Sequence, residues 1–236
     1  MVDVIVYPIA KGRKDKKERD AARSCTSDVR QKMNDRTAVR KFRRLLLTNF
    51  RPNDLVVTLT YSPEALPATP EKARDKYLKP FIRKLRAEQG DAGLPYVYTT
   101  EGYHGDHRLH HHMVLPDRPA IQETIRELWA ANGDNVGFDR IASRGYDVWS
   151  SYLTKEPRKT GRRRLGDRMW TPSIGLKKPE VIEFEAADNF VFEPPSGVKI
   201  ELNETVQTDW FQAQYVSYYI PDYLENREKT EQGVFN

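Results

Sequence analysis

Apolar residues in this chain fall into short clusters whose spacing alternates between helical and strand periods. From Ser27 to Asn49, Val29, Met33, Val39, Phe42, Leu45 and Leu46 mostly recur at helical spacing, and Ser27 or Asp28 can cap the start. The other face of this helix is dense with arginine and lysine. "RPND" breaks it, and "LVVTLTY" is a β-rich run of buried-strand character. After the loop "SPEALPATP", Thr69-Pro70 suits a helix start, because the missing proline N–H is not needed in the first turn. That helix carries Tyr77, Leu78, Phe81, Ile82 and Leu85 on one side, and Pro80 is expected to kink or divide it. Two strands follow, "YVYTTE" and "RLHHHMVL", joined through "GYHGD". "PAIQETIRELWAANG" sets Ile121, Ile125, Leu128 and Trp129 on one helical face, with Asn132-Gly133 as its stop. "NVGFDRI" reads as a further strand, and "GYDVWSSYLTK" as a short helix ending near Pro157.

Over residues 53–156 the order is strand, helix, strand, strand, helix, strand, helix. The first six elements follow a ferredoxin-like split βαβ order. The expected fold is α+β, an antiparallel sheet with the histidine-rich strand at its centre and helices on its faces. "FVFEPPSGVKIELNE" and "QYVSYYIPDYL" suggest a loosely packed β-type or irregular C-terminal region. The expected organisation is a basic N-terminal helical segment, 1–52, a central domain, 53–181, and an acidic C-terminal extension, 182–236.

Composition narrows the classes. No apolar run approaches the roughly 20 residues of a membrane span. "MVDVIVYPIAKGRK" lacks a signal-peptide layout. A cytoplasmic protein with no membrane partner is expected. The single cysteine, Cys25, excludes an intramolecular disulfide and a CxxC metal knuckle. Net charge is +5, but it is unevenly spread. Residues 11–50 carry fourteen Lys/Arg against five Asp/Glu, residues 153–178 nine against two, and residues 180–236 three against twelve. Basic segments of this density suit a phosphate backbone, though a solvated helix face is the plainer alternative for any one of them.

All five histidines, His104, His107, His110, His111 and His112, fall within nine positions. On a strand, alternate residues share a face, so His110 and His112 point one way while His111 joins Leu109, Met113 and Leu115 on the other. A hairpin closing through residues 102–108 brings Glu101 alongside His110. Two imidazoles and a carboxylate suit Mn²⁺, Fe²⁺, Zn²⁺ or similar ions and leave positions open for water or substrate. His104 and His107 are turn residues on this reading. An oxidase, a cupin or a zinc hydrolase also uses H-x-H, so the cluster alone does not choose among them. "WSSYLTKEP" sets Tyr152 and Lys155 three apart, on one helical face.

"LVVTLTY", then Glu101 with R-x-H-x-H beyond a short turn in "EGYHGDHRLHHH", then "YLTK", stand in the order of the three motifs of HUH endonucleases. Over about residues 36–181 the chain resembles the rolling-circle replication initiators, or Rep proteins, of that superfamily. The middle position of H-x-H is usually hydrophobic there, and His111 departs from that pattern.

The resemblance implies that His110, His112 and Glu101 hold a divalent metal, Mn²⁺ or Mg²⁺, with Tyr152 as nucleophile and Lys155 as its motif partner. It implies a nickase that cuts one phosphodiester of single-stranded origin DNA, in a hairpin, through a 5′-phosphotyrosine link and a free 3′-OH. A relaxase or a single-strand transposase of the same superfamily is the alternative. Outside it, the alternative is a non-catalytic DNA-binding protein with a structural ion. Arg43, Arg44, Arg108, Arg162, Arg163 and Arg164 are the expected backbone contacts, and Trp149, Trp170 and Tyr146 are candidates for stacking on bases. With one such tyrosine, strand closure needs a second protomer or a second use of the same residue. GxxxxGK[ST] does not occur, so a host helicase and polymerase are the expected partners.

Overall fold

A computed structural model of the chain describes residues 1–8, 28–102, 108–133, 135–142, 145–155, 169–207 and 212–220, with side chains from residue 34 onward in the first helix. The charged segment 11–26, His104, His107, Cys25, the Ser27 cap, the basic run with Arg162, Arg163 and Arg164, and the last sixteen residues lie outside the described residues.

Strands β2 (Leu55–Thr60), β3 (Val97–Glu101), β4 (His110–Leu115), β5 (Val136–Arg140) and β6 (Thr171–Pro172) form one sheet in the order β5-β2-β4-β3-β6. All four pairings are antiparallel. The first four of these strands give the ferredoxin-like order, and the histidine strand β4 is the middle of the five, as expected. β6 is a two-residue edge that the sequence did not reveal. Its Pro172 is tolerated there because an edge strand can spare the missing N–H.

Side-chain alternation gives the sheet two apolar faces. Leu55, Val57, Leu59, Met113 and Leu115 meet α2 (Lys79–Glu88) and α3 (Ile121–Trp129) in one core, with Phe81, Ile82, Leu85, Ile125 and Trp129. Val56, Val97 and Val114 meet α1 (Asp28–Asn49) and α4 (Tyr146–Leu153) in the other, with Phe42, Leu46, Phe50, Tyr146 and Leu153. The Thr69 side chain accepts from the Lys72 N–H at the helical start expected there. Before Pro80, residues Ala73–Leu78 wind as a π-helix, with the Lys79 N–H bonded to the Arg74 carbonyl. Proline lacks the donor that a regular turn needs, so the expected break takes the form of a widened turn.

The chain divides into two compact units, residues 25–180 and residues 1–24 with 181–236. The second limit lies within one residue of the expected boundary at 181, and the first lies at 24 where 52 was expected. α1 buries Phe42 and Leu46 completely against the second core, so it is part of the central unit. In the other unit, β1 (Val2–Val6), β8 (Gln212–Tyr219) and β7 (Lys199–Gln207) form an antiparallel sheet in the order β1-β8-β7. The C-terminal extension is therefore β-type over β7 and β8, the first of the two forms expected of it.

Candidate metal centre

On the α1/α4 face, three adjacent strands change from apolar to polar together. β2 runs Val56, Thr58, Thr60; β4 runs Val114, His112, His110; β3 runs Val97, Thr99, Glu101. Register aligns the change, with Thr58 and Thr99 opposite His112 on either side, and Thr60 and Glu101 opposite His110. The core closes over the valines, and beyond it a cleft of about 400 Å³ opens. Gly102 carries the chain out of β3 at φ +93°, a conformation favouring glycine, and a Cβ there would lie 2.6 Å from the Leu109 Cα.

The side-chain donors of Glu101, His110 and His112 lie within 4.8 Å of one another. The two Nε2 atoms are 3.2 Å apart, and Glu101 oxygens stand 3.5 Å from His110 Nε2 and 3.8 Å from His112 Nε2. The second ring nitrogen of each histidine is engaged behind. His110 Nδ1 donates to the Arg108 carbonyl at 2.7 Å, and His112 Nδ1 bonds Thr58 Oγ1 at 3.0 Å. This leaves both Nε2 atoms aimed at the carboxylate, the arrangement of histidines that bind metal. Buried Glu101 Oε1 has no hydrogen-bond partner among the described residues, a costly state for a carboxylate oxygen that a cation relieves. The three residues fit a divalent ion.

Burial would raise the Glu101 carboxyl, but the hydrogen bond from His110 and the charges of His112 and Lys155 outweigh it and hold the pKa below the usual value. Burial lowers His112 to about 4, so it is neutral at pH 7. For His110 burial works in the same direction, but bonds to Glu101 and the Arg108 carbonyl prevail and raise it. A proton on His110 therefore competes with an ion.

Tyr152 and Lys155 complete the cleft. Tyr152, in the last turn of α4, is 40% exposed, and its ring meets His112 edge-on at 5.4 Å and Trp149 at 5.8 Å. Lys155, just past the helix end, places Nζ 3.2 Å from Glu101 Oε2 and 3.5 Å from the centroid of the Tyr152 ring. Desolvation would lower its pKa, but Tyr152 and Glu101 raise it, so it is charged. Exposed Arg108 lines the rim.

Other expected contacts fall elsewhere. Arg43 is buried, with Nε 2.6 Å from Asp147 Oδ1, and ties α1 to α4. Arg44 is half-buried on α1 and does not line the cleft. Tyr146 is buried and donates to the Phe50 carbonyl at 2.9 Å, so its ring is not exposed for stacking, whereas half-buried Trp170 packs on Phe42 with ring centroids 4.8 Å apart. Sequence reasoning missed Thr58. Its signal was its place in "LVVTLTY", on the same face as Thr60, but only the register puts it behind His112.

His111 points into the other core, fully buried, between Tyr61 OH on Nε2 and Thr100 Oγ1 on Nδ1, each at 2.8 Å. Desolvation first, then the neighbouring histidines, lower its pKa to about 3.

The antiparallel ferredoxin-like sheet carries a Glu-His-His group on its central strands, an arrangement compatible with an HUH motif. Residues 54–160 match the family model of the replication-associated protein ORF2 group. That span, a little under half the chain, contains β2 through α4 and all three candidate metal ligands. The Rep-like resemblance is borne out, and the match together with the triad supports a replication initiator that binds DNA. No curated protein and no solved structure matches the chain significantly.

Proposed function

We propose that the chain nicks and rejoins single-stranded DNA at a replication origin, with Tyr152 as nucleophile. The observation that carries this reading is the meeting of two separate elements: the hydroxyl-bearing ring of Tyr152 lies against His112, one of the three candidate ligands. In the step proposed, the Tyr152 phenol oxygen bonds to phosphorus as the bond to the 3′ oxygen breaks. The phenol proton passes to water in the open cleft, and the departing 3′ oxygen takes up a proton to become the hydroxyl. The phosphotyrosine conserves the energy of the broken bond, so the reverse attack reseals the strand.

Glu101, His110 and His112 would hold the divalent ion, Mn²⁺ or Mg²⁺, which supplies polarisation of a non-bridging phosphate oxygen. Lys155 sets a positive charge against the Tyr152 ring, where it can stabilise negative charge that develops as the phosphodiester is attacked. Glu101 fixes Lys155 there. Arg108 on the rim, and Arg162, Arg163 and Arg164 in the segment beyond α4, are the proposed backbone contacts. The protein would work in the cytoplasm on a hairpin origin, with a separate helicase for unwinding and a polymerase to extend the 3′-OH.

The test is a denaturing gel of the protein with labelled single-stranded origin DNA and Mn²⁺. A covalent protein–DNA adduct is expected from the wild type and none from Tyr152→Phe. An adduct that survives Tyr152→Phe overturns the nucleophile, and release of both DNA ends free points to a hydrolase with no protein-linked intermediate.

A further inference from the structure

On the sheet face away from the metal centre, α2 and the edge at β3 and β6 enclose a second groove of about 690 Å³. Tyr98 and Glu101 project to opposite faces of β3: the Tyr98 ring stands 6.4 Å from that of His111, in the other core. The helical wall of the groove is cationic. Lys79, Arg83 and Arg86 line it at i, i+4 and i+7, successive steps of about 6 Å and about 4.5 Å along the axis. The facing wall is aromatic. Tyr96 and Tyr98 lie with centroids 6.2 Å apart and planes 23° from parallel, and the Arg86 guanidinium sits 5.0 Å over the Tyr96 ring. Arg86 is fixed there by donating to the Leu94 carbonyl at 2.9 Å.

The charge balance favours an anion. The carboxylate in the lining, Asp91, is paired with Arg118 at 2.9 Å, and Lys79 makes a surface pair with Asp75 at 2.8 Å that a phosphate can replace. Arg83 is exposed. A row of cations beside planar stacking groups suits phosphates and bases at once. An acidic peptide would leave the tyrosine and guanidinium surfaces unused, and a mononucleotide would engage only one step of the cationic row.

We propose that this groove is a second nucleic-acid site, which holds about two or three nucleotides of single strand, phosphates on the α2 row and a base on the Arg86–Tyr96 layer. It goes beyond the nicking reading and does not depend on it, because it needs neither an ion nor Tyr152. A strand held here would anchor DNA that flanks the segment in the metal cleft.

The test uses the full chain in EDTA with a fluorescein-labelled oligo-dT of twelve nucleotides, read by anisotropy, and a 5-iodouracil version for photocrosslinking and peptide mapping. Crosslinks to the Tyr96–Tyr98 peptide are expected. Arg83→Glu should weaken binding by at least about fivefold and lower the salt slope by ~1 or more, with an unchanged melting temperature. Crosslinks confined to Trp149 or Tyr152, an Arg83→Glu affinity equal to wild type, or no oligo-dT binding at all would overturn the proposal. Equal competition by dTMP alone would overturn the strand assignment in favour of a nucleotide. None of these outcomes bears on the adduct gel, so the two readings fail separately.

Discussion

Three consecutive histidines on β4 meet two opposite environments. His111 faces the core of α2 and α3, fully buried, with both ring nitrogens satisfied by Tyr61 and Thr100. His110 and His112 face the side covered by α1 and α4, at the end where that cover stops, and among the described residues their Nε2 atoms are answered only by each other and by Glu101. The same side chain is thus a packing group on one face and a ligand candidate on the other. What separates them is the two-residue period of the strand and the extent of the helices above it, not residue type.

The largest expected effect breaks the ligand face. Glu101→Ala and His112→Ala each remove a donor from the triad, and Mn²⁺-dependent nicking should fall by more than the ~10–100-fold typical of an outer-shell change. Single-strand affinity, measured by anisotropy, should change by less than about threefold, because backbone phosphates carry most of it. If instead thermal stability and DNA affinity fall together while wild-type protein gives no adduct, the ion is structural and the two faces differ less than proposed.

The next effect belongs to the packing face. His111→Ala leaves a cavity and takes a hydrogen-bond partner from buried Tyr61 and half-buried Thr100, for an expected loss of about 2–4 kcal/mol in urea unfolding. The pH dependence follows from the depressed pKa of His111, about 3 when folded against 6.5 unperturbed. Below pH 6.5 the unfolded chain takes up a proton that the folded one refuses, so this contribution is complete above 6.5 and is lost steadily as pH falls toward 3. His112, at about 4, acts in the same direction. His111→Leu should therefore flatten the stability difference between pH 7.5 and pH 5 without abolishing it. An unchanged slope would mean that His111 is not held neutral by the core.

The histidine division was legible beforehand because strand alternation is a local property, and a hairpin around 102–108 was enough to place Glu101 beside His110. The βαββαβ order was legible for the same reason, since each element carries its own period. What escaped depends on partners distant in sequence. β1 is five residues whose partner strand, β8, begins past residue 210. Arg43 looks like one more cation on a basic helix, and only the arrival of Asp147 from α4 turns it into a buried strut. The aromatic and cationic walls of the second groove come from β3 and α2, which the sequence shows as separate patterns with nothing to say that they face each other.

The smallest effect tests whether the faces are independent. Thr58 supports His112 from β2, and Thr100 supports His111 from β3, at nearly equal distances of 3.0 Å and 2.8 Å. Each can be replaced by valine, which keeps the shape, favours a strand and removes only the hydroxyl. Thr58→Val frees the His112 ring to turn and should weaken Mn²⁺ binding by about tenfold in a calorimetric titration, while unfolding free energy moves by less than about 1 kcal/mol. Thr100→Val should do the reverse, costing about 1–2 kcal/mol through the unmet His111 nitrogen and leaving Mn²⁺ affinity within about twofold. If Thr100→Val weakens the metal as much as Thr58→Val does, the buried histidine fixes the ligand geometry through the backbone of β4. The departure from a hydrophobic residue at that position would then belong to the site itself.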